Sequence, residues 1–190
     1  MGTHDLRETD PLSDREVASL RTLLDRQAIV DCIHRHARGV DRGDETLVRG
    51  VYHADALEDH GAYIGGLDGL IDFLGAAHGP FDSYQRYVTN STIEIDGDVA
   101  HAESYYFCVL RRDSTGRLLA NGGRYVDRAE RRDGEWRIAR RVVVMEWEGT
   151  MEGGEPRFPF TIDPRRDQGD ISYQRPLEVD LTRRSPVAPD

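Results

Sequence analysis

The sequence predicts an α+β fold in which helices pack on one face of a curved antiparallel sheet. Three observations predict it. One long helical pattern runs from Ser13 to Gly39. After residue 86 the chain switches to long stretches rich in β-branched and aromatic residues, separated by turn signals. The 190 residues, 38% of them hydrophobic, suffice for one domain with a core plus an extended tail.

Residues 1–12 are polar and are expected to be flexible. The spacing Ser13-Asp14-Arg15-Glu16 fits a capping box that opens the first helix. Along that helix Leu23, Val30, Ile33, Ala37 and Val40 fall near one face, which Leu20, Leu24 and Ile29 broaden. A short helix is expected at residues 44–52, a strand near 56–60 and a third helix at 67–77. Strands are expected at 87–95, 99–111, 117–131 and 135–147. Asp96-Gly97, Asp113 to Gly116 and Asp133-Gly134 mark the turns between them. Gly122-Gly123 inside a strand predicts a bulge, as a tightly curling sheet needs. Residues 13–148 therefore form one domain. From 149 to 190 the chain is rich in Pro, Gly and Arg, an extended tail that wraps the domain or a partner subunit.

The composition excludes several functions. The formal charge is −10, and all 25 cationic side chains are arginine. Without a lysine amine there is no Schiff-base chemistry and no covalently held pyridoxal cofactor. An acidic chain disfavours nucleic acid, whose phosphates call for a basic face. Interleaved charges such as RRDGEWRIARR suggest a solvated strand face. Cys32 and Cys108 are too few and too far apart for a disulfide framework or thiolate metal site, and read as buried small residues. No apolar run approaches the roughly 20 residues that span a bilayer. The first residues show no leader pattern, so a cytoplasmic location without membrane contact is expected.

Candidate chemistry centres on the run HARGVD, residues 36–41. Asp41 follows Ala37 by four residues and Ile33 by eight, which at about 100° per residue sets it on the edge of the apolar stripe. A carboxylate facing an apolar interior needs a partner or its pKa rises, the condition a general acid or base requires. Alternatively, Asp41 starts the next helix or caps a turn with Gly43. His34 shares the face of Asp41, His36 lies about 140° away on an ideal helix, and His60 follows in YHADALEDHGAY. Two of these with Asp41 would make a metal site, but the spacings match no zinc or iron signature. Tyr105 and Tyr106 are adjacent on a strand and cannot both face inward.

HARGVD, YHADALEDHGAYIG, YVTN, NGGRY and ERRDGEWRIARR together resemble the nuclear transport factor 2-like superfamily. The likeness is to the SnoaL-like branch that holds hexachlorocyclohexane dehydrochlorinase, bile acid 7α-dehydratase and scytalone dehydratase. It covers about residues 18–148. It implies a cone-shaped sheet wrapped around the N-terminal helices, with an enclosed, mostly apolar pocket. It also implies a homodimer or homotrimer formed through the outer sheet face. By position, Asp41 matches the aspartate that pairs with a catalytic histidine. His36, His60 and Arg141 fall at or near pocket positions, and Arg86 stands where the family has its histidine; Tyr63 and Tyr106 are further candidates as strand or loop tyrosines that could meet a substrate.

An arginine cannot abstract a proton near neutrality. Three readings are therefore open. His36 or His60 serves as base, with Asp41 orienting its ring and Arg86 holding a substrate oxygen. Asp41 is itself the base. Or Asp41 and Arg86 form a salt bridge and the pocket only binds. The expected function is a cofactor-free, metal-free lyase or isomerase acting on a small hydrophobic molecule. The alternative is a non-catalytic binding protein or accessory subunit.

Overall fold

The structure, a computed structural model, describes residues 11–111, 117–153 and 164–179. Helix α1 (Asp14–Arg42) opens with the expected capping box. The Glu16 N–H donates to Ser13 Oγ at 3.4 Å, and the Ser13 N–H donates to Glu16 Oε2 at 2.8 Å. It closes at Gly43, which takes a left-handed conformation (φ 62°) and whose N–H donates to the carbonyls of Gly39 and Val40. A Cβ at Gly43 would lie 2.9 Å from the Arg166 carbonyl oxygen, so glycine is required twice over.

The buried stripe of α1 is Ile29, Cys32, Ile33, His36, Ala37 and Val40. Leu20, Leu23 and Leu24, expected in the stripe, are exposed. A helix of 29 residues is roughly 43 Å long, and its first turns project past the sheet.

Helix α2 (Glu45–Arg49) is shorter than expected. Asp44 caps it by accepting from the Leu47 N–H, and Gly50 ends it, so Tyr52 starts a strand instead. The chain then forms β1 (Tyr52–Asp59), β2 (Ile64–Gly66), α3 (Leu67–His78), β3 (Ser83–Asp96), β4 (Val99–Arg111), β5 (Arg117–Arg132) and β6 (Glu135–Glu152). The six strands make one sheet in the order β2-β1-β6-β5-β4-β3. The fold is α+β, but the sheet is not antiparallel throughout: β1 runs parallel to β6. β2, α3 and β3 to β5 lie between those two strands in the chain, which gives the crossover a parallel pair needs.

Two bulges in the β5–β6 ladder bend the sheet. Gly122 pairs with Trp147 and Gly123 with Met145, leaving Glu146 as the extra residue. A Cβ at Gly123 would collide with the Val144 carbonyl, so the expected glycine bulge is a place of close backbone approach. A second shift between Arg128 and Ala129 adds another bend. Asp133 and Gly134 both take positive φ, 52° and 81°, as a type I′ hairpin turn demands. The turn expected at residues 113–116 lies outside the described residues.

One core cluster joins α1 to the inner face of β3–β6, and a second joins α1, α2, β1 and α3. β6 runs to Glu152 and takes in residues expected to belong to the tail. Residues 164–179 cross the end of α1. Asp170 lies 3.5 Å from Arg42, Tyr173 Oη donates to Asp44 at 2.8 Å, and Arg38 stands 4.9 Å over the Tyr173 ring. Among the described residues no helix is long and apolar enough to cross a membrane.

Candidate active site

Asp41 sits in the last turn of α1, facing β3. The Arg86 backbone N–H donates to its Oδ2 at 2.9 Å, and Arg86 Nη1 approaches Oδ1 at 3.4 Å. Burial pushes the Asp41 carboxyl up, and the charges of Arg86, Arg42 and Arg166 only partly pull it back. Burial also works against the Arg86 cation, but nearby Tyr125, Cys108 and Asp41 outweigh it and Arg86 stays charged. Asp41 and Arg86 together with His34 and Thr89 line an open groove between α1 and β3. Asp41 is therefore at the rim of the interior. Its side chain engages Arg86, as the third reading has it, and the expected pairing with His36 or His60 is not what the fold builds. His36 points about 140° away around the helix, and His60 has a different carboxylate.

That carboxylate is Glu58. Glu58 lies near the end of β1 and His60 just past it, close enough for their side chains to meet. Glu58 is 2% exposed, and its Oε1 lies 2.6 Å from His60 Nδ1. Its Oε2 accepts from Tyr52 Oη at 2.6 Å. Burial opposes the Glu58 charge, yet the hydrogen bonds from His60 and Tyr52 and the charge of Arg141 hold its carboxyl below the ordinary range. An ionised Glu58 can only accept, so His60 donates to it from Nδ1. The ring also lies 5.2 Å from Phe73.

The network continues inward. His36 Nδ1 lies 3.2 Å from Tyr52 Oη, and Arg141 Nη1 donates to the same oxygen at 3.3 Å. Tyr52 has given its only proton to Glu58, so His36 donates from Nδ1 and is neutral with Nε2 unprotonated. Burial, then the charges of Arg141 and Arg86, lower its pKa well below that of a free histidine.

Arg141 is fully buried and grips Asp127 with two bonds of 2.7 and 2.8 Å. Its guanidinium lies 4.3 Å from the Tyr125 ring, on which Tyr106 stacks at 4.6 Å. Arg141 thus corrects the picture of RRDGEWRIARR as a wholly solvated face. Its neighbours Arg131, Arg132 and Arg137 do make ion pairs at the surface. Tyr106 points inward and Tyr105 outward, in the alternation expected. Burial pushes the Tyr125 phenol up to about 12. Tyr63 is half-buried, stacks on Phe73 at 5.7 Å and donates to the Gly66 carbonyl.

Sequence reasoning missed Glu58, Tyr52, His78 and Asp127. Glu58 was findable, because it lies two residues before His60 in an extended stretch. Asp127 carried no local signal. Cys32 and Cys108 are buried free thiols. Among the described residues no group of three or more His, Cys, Asp or Glu side chains is placed to hold a metal ion.

Comparison with known proteins supports this architecture. The hexachlorocyclohexane dehydrochlorinase of Novosphingobium barchaimii superposes with a TM-score of 0.66 at 22% identity, over 74% of this chain and 99% of that one. A scytalone dehydratase-like protein from Novosphingobium aromaticivorans gives 0.62 at 17% identity, over 71% and 91%. A protein of unknown function with a cystatin-like fold from Nostoc punctiforme gives 0.56 at 21%, over 65% and 92%. No curated protein matches the sequence. The model of the SnoaL-like domain family matches residues 21–142, which hold most of α1, all of β1 to β5 and the first part of β6. The chain therefore belongs to the SnoaL-like family of the nuclear transport factor 2-like superfamily.

Proposed function

We propose that this protein is a cofactor-free lyase or isomerase that moves a proton on a small hydrophobic molecule, with His60 as base and Glu58 as the residue that orients it. The Glu58–His60 hydrogen bond of 2.6 Å is the observation that carries the reading. A buried carboxylate that holds an imidazole by one nitrogen leaves the other directed and basic, which is how a positioned general base works. The dehydrochlorinase and the dehydratase-like protein among the structural neighbours support elimination chemistry on this fold. Substrate would occupy an enclosed chamber between α1, α3 and the inner sheet face, beside Phe73 and Tyr106. Asp41 keeps Arg86 in that interior, and His36 and Arg141 hold Tyr52 and so Glu58 in place. The chain would act in the cytoplasm.

Turnover of a panel of terpenoid, steroid, polyketide and halogenated substrates tests this. His60→Ala should lose about 10²–10⁴-fold, and Glu58→Gln roughly 10–100-fold, the range for a partner that orients a histidine. Unchanged rates in both variants would remove the proposal. The Asp41–Arg86 pair favours a second reading, a non-catalytic binding protein or accessory subunit. Co-purified ligand with no turnover by the wild type would support that one. A homodimer or homotrimer through the outer sheet face is part of the first reading, since Tyr87, Tyr105 and Trp147 are exposed there. Light scattering that finds a monomer would count against it.

A further inference from the structure

The groove between α1 and β3 has a volume of about 490 Å³, the size of a small-molecule site, and it gathers three arginines. Arg38 and Arg42 lie four residues apart on α1 and share a face, where like charges repel. Arg86 reaches the same groove from β3. Among the described residues, Arg42 Nε and Arg86 Nε are buried and form no hydrogen bond, although Asp170 lies 3.5 Å from the first. Buried donors of this kind are nearly always satisfied. The Arg86 side chain is only 9% exposed and is shielded from water. Arg38 meets the Ser172 hydroxyl at 3.2 Å and the Tyr173 ring at 4.9 Å, neither of which carries a charge.

Three guanidinium groups and one carboxylate, that of Asp41, line the groove. Asp170 beside Arg42 adds a second carboxylate, which leaves one positive charge in excess. Arg166 acts on Asp41 from outside the groove and Asp44 on Arg38, and these two cancel. We propose that the groove binds the carboxylate of a small monoanionic ligand, with Arg38, Arg42 and Arg86 as its donors. The planar fork of a guanidinium matches the two oxygens of a carboxylate. A phosphate monoester carries roughly two negative charges, which exceeds the charge to be met and sets the surplus against Asp41. Tyr87, half exposed, and Val88 offer the rest of the ligand an apolar wall, so an acid with a flat apolar body fits. The site makes no use of His60 or Glu58 and stands apart from the proton transfer proposed for them.

The test uses the full chain with benzoate and benzamide, which share a ring and differ in charge. Calorimetric titration near neutrality should show benzoate binding about ten-fold tighter than benzamide, or more. Arg38→Gln, at a partly exposed position, should weaken benzoate about ten-fold and leave benzamide unchanged. Arg42→Gln should do the same, and thermal melts show that both variants fold. The Nε–H resonances of Arg42 and Arg86 should move when benzoate is added and stay in place with benzamide. Asp41→Asn removes a like charge from the groove and should tighten benzoate about five-fold, the opposite of what a merely damaged structure gives. His60→Ala should bind benzoate as the wild type does. Equal affinity for the two probes, glutamine variants that bind like wild type, or unmoved Nε–H resonances would overturn the site. Weaker benzoate binding by Asp41→Asn would overturn its charge logic, and inorganic phosphate binding tighter than benzoate would overturn the monocarboxylate class. A loss of benzoate in His60→Ala would overturn its separation from the proton transfer.

Discussion

Two arginine–aspartate pairs lie inside this protein, and they are built differently. Arg141 and Asp127 meet through two short bonds, with side chains 0% and 1% exposed and the guanidinium packed on the Tyr125 ring. Arg86 and Asp41 meet through a single side-chain contact of 3.4 Å, at 9% and 13% exposure, and Arg86 Nε is left over. The first pair is closed: every strong donor is aimed at protein, and the pair anchors Tyr52 and through it Glu58. The second is open: among the described residues Arg86 Nε has no partner. The two pairs differ in how completely their donors are used more than in burial.

Breaking the closed pair should have the largest effect. Asp127→Ala leaves the Arg141 charge buried without a partner and should cost about 3–5 kcal/mol of stability in urea unfolding. A loss below about 1 kcal/mol would mean that the pair is not what it looks like. Breaking the open pair should cost less. Asp41→Asn still accepts from the Arg86 backbone N–H, and Arg86 retains some access to water, so about 1–2 kcal/mol is expected in the same assay. If the two variants lost equal stability, the contrast would fall.

Acid tests both regions together, because a histidine stands beside each pair. His36 lies next to the Arg141 network, and His78 feels the charges of Arg86 and Arg166. Burial is the main cause in both, and it takes His78 from 6.5 to about 3. Both folded values lie below the unfolded one, so the unfolded chain binds protons first as pH falls. Their stabilisation is complete above about pH 6.5 and is lost progressively below it, by about 1 kcal/mol per histidine per pH unit at first. Asp41 acts in the opposite sense. Its raised carboxyl favours the folded state only at low pH, and that contribution fades as pH rises through its folded value. A stability curve flat between pH 6.5 and 5 would show that neither histidine is held neutral. His36→Gln and His78→Gln should each flatten the curve by its share.

The smallest effect belongs far from both pairs. Ser13→Ala at the exposed start of α1 should cost about 0.5–1 kcal/mol and leave ligand binding untouched. It sets the baseline against which the interior variants are judged.

The comparison also shows what was legible. The capping box, the Gly122-Gly123 bulge, the strand alternation at Tyr105 and Tyr106, and the candidates Asp41 and His60 were readable from local pattern, whereas Arg86 and Arg141 came from the family resemblance. The partners of those candidates were not. Asp41 finds Arg86 from 45 residues away, and Tyr52 finds Arg141 from 89. Of the three readings of Asp41, the sequence could not choose the contact with Arg86, because helical spacing says which face a side chain takes but not which strand will lie against it. The exposure of Leu20, Leu23 and Leu24 has the same origin, since apolar periodicity marks a stripe but cannot say where the opposing sheet stops.

By itself the sequence determined everything that depends on near neighbours: the helix and its cap, the strands and turns, and the absence of lysine chemistry. Only the tertiary structure decided which arginine is closed off and which is left with a donor to spare. Hydrogen-bond satisfaction is a property of groups that meet in space, and here those groups come from chain segments that no local period relates.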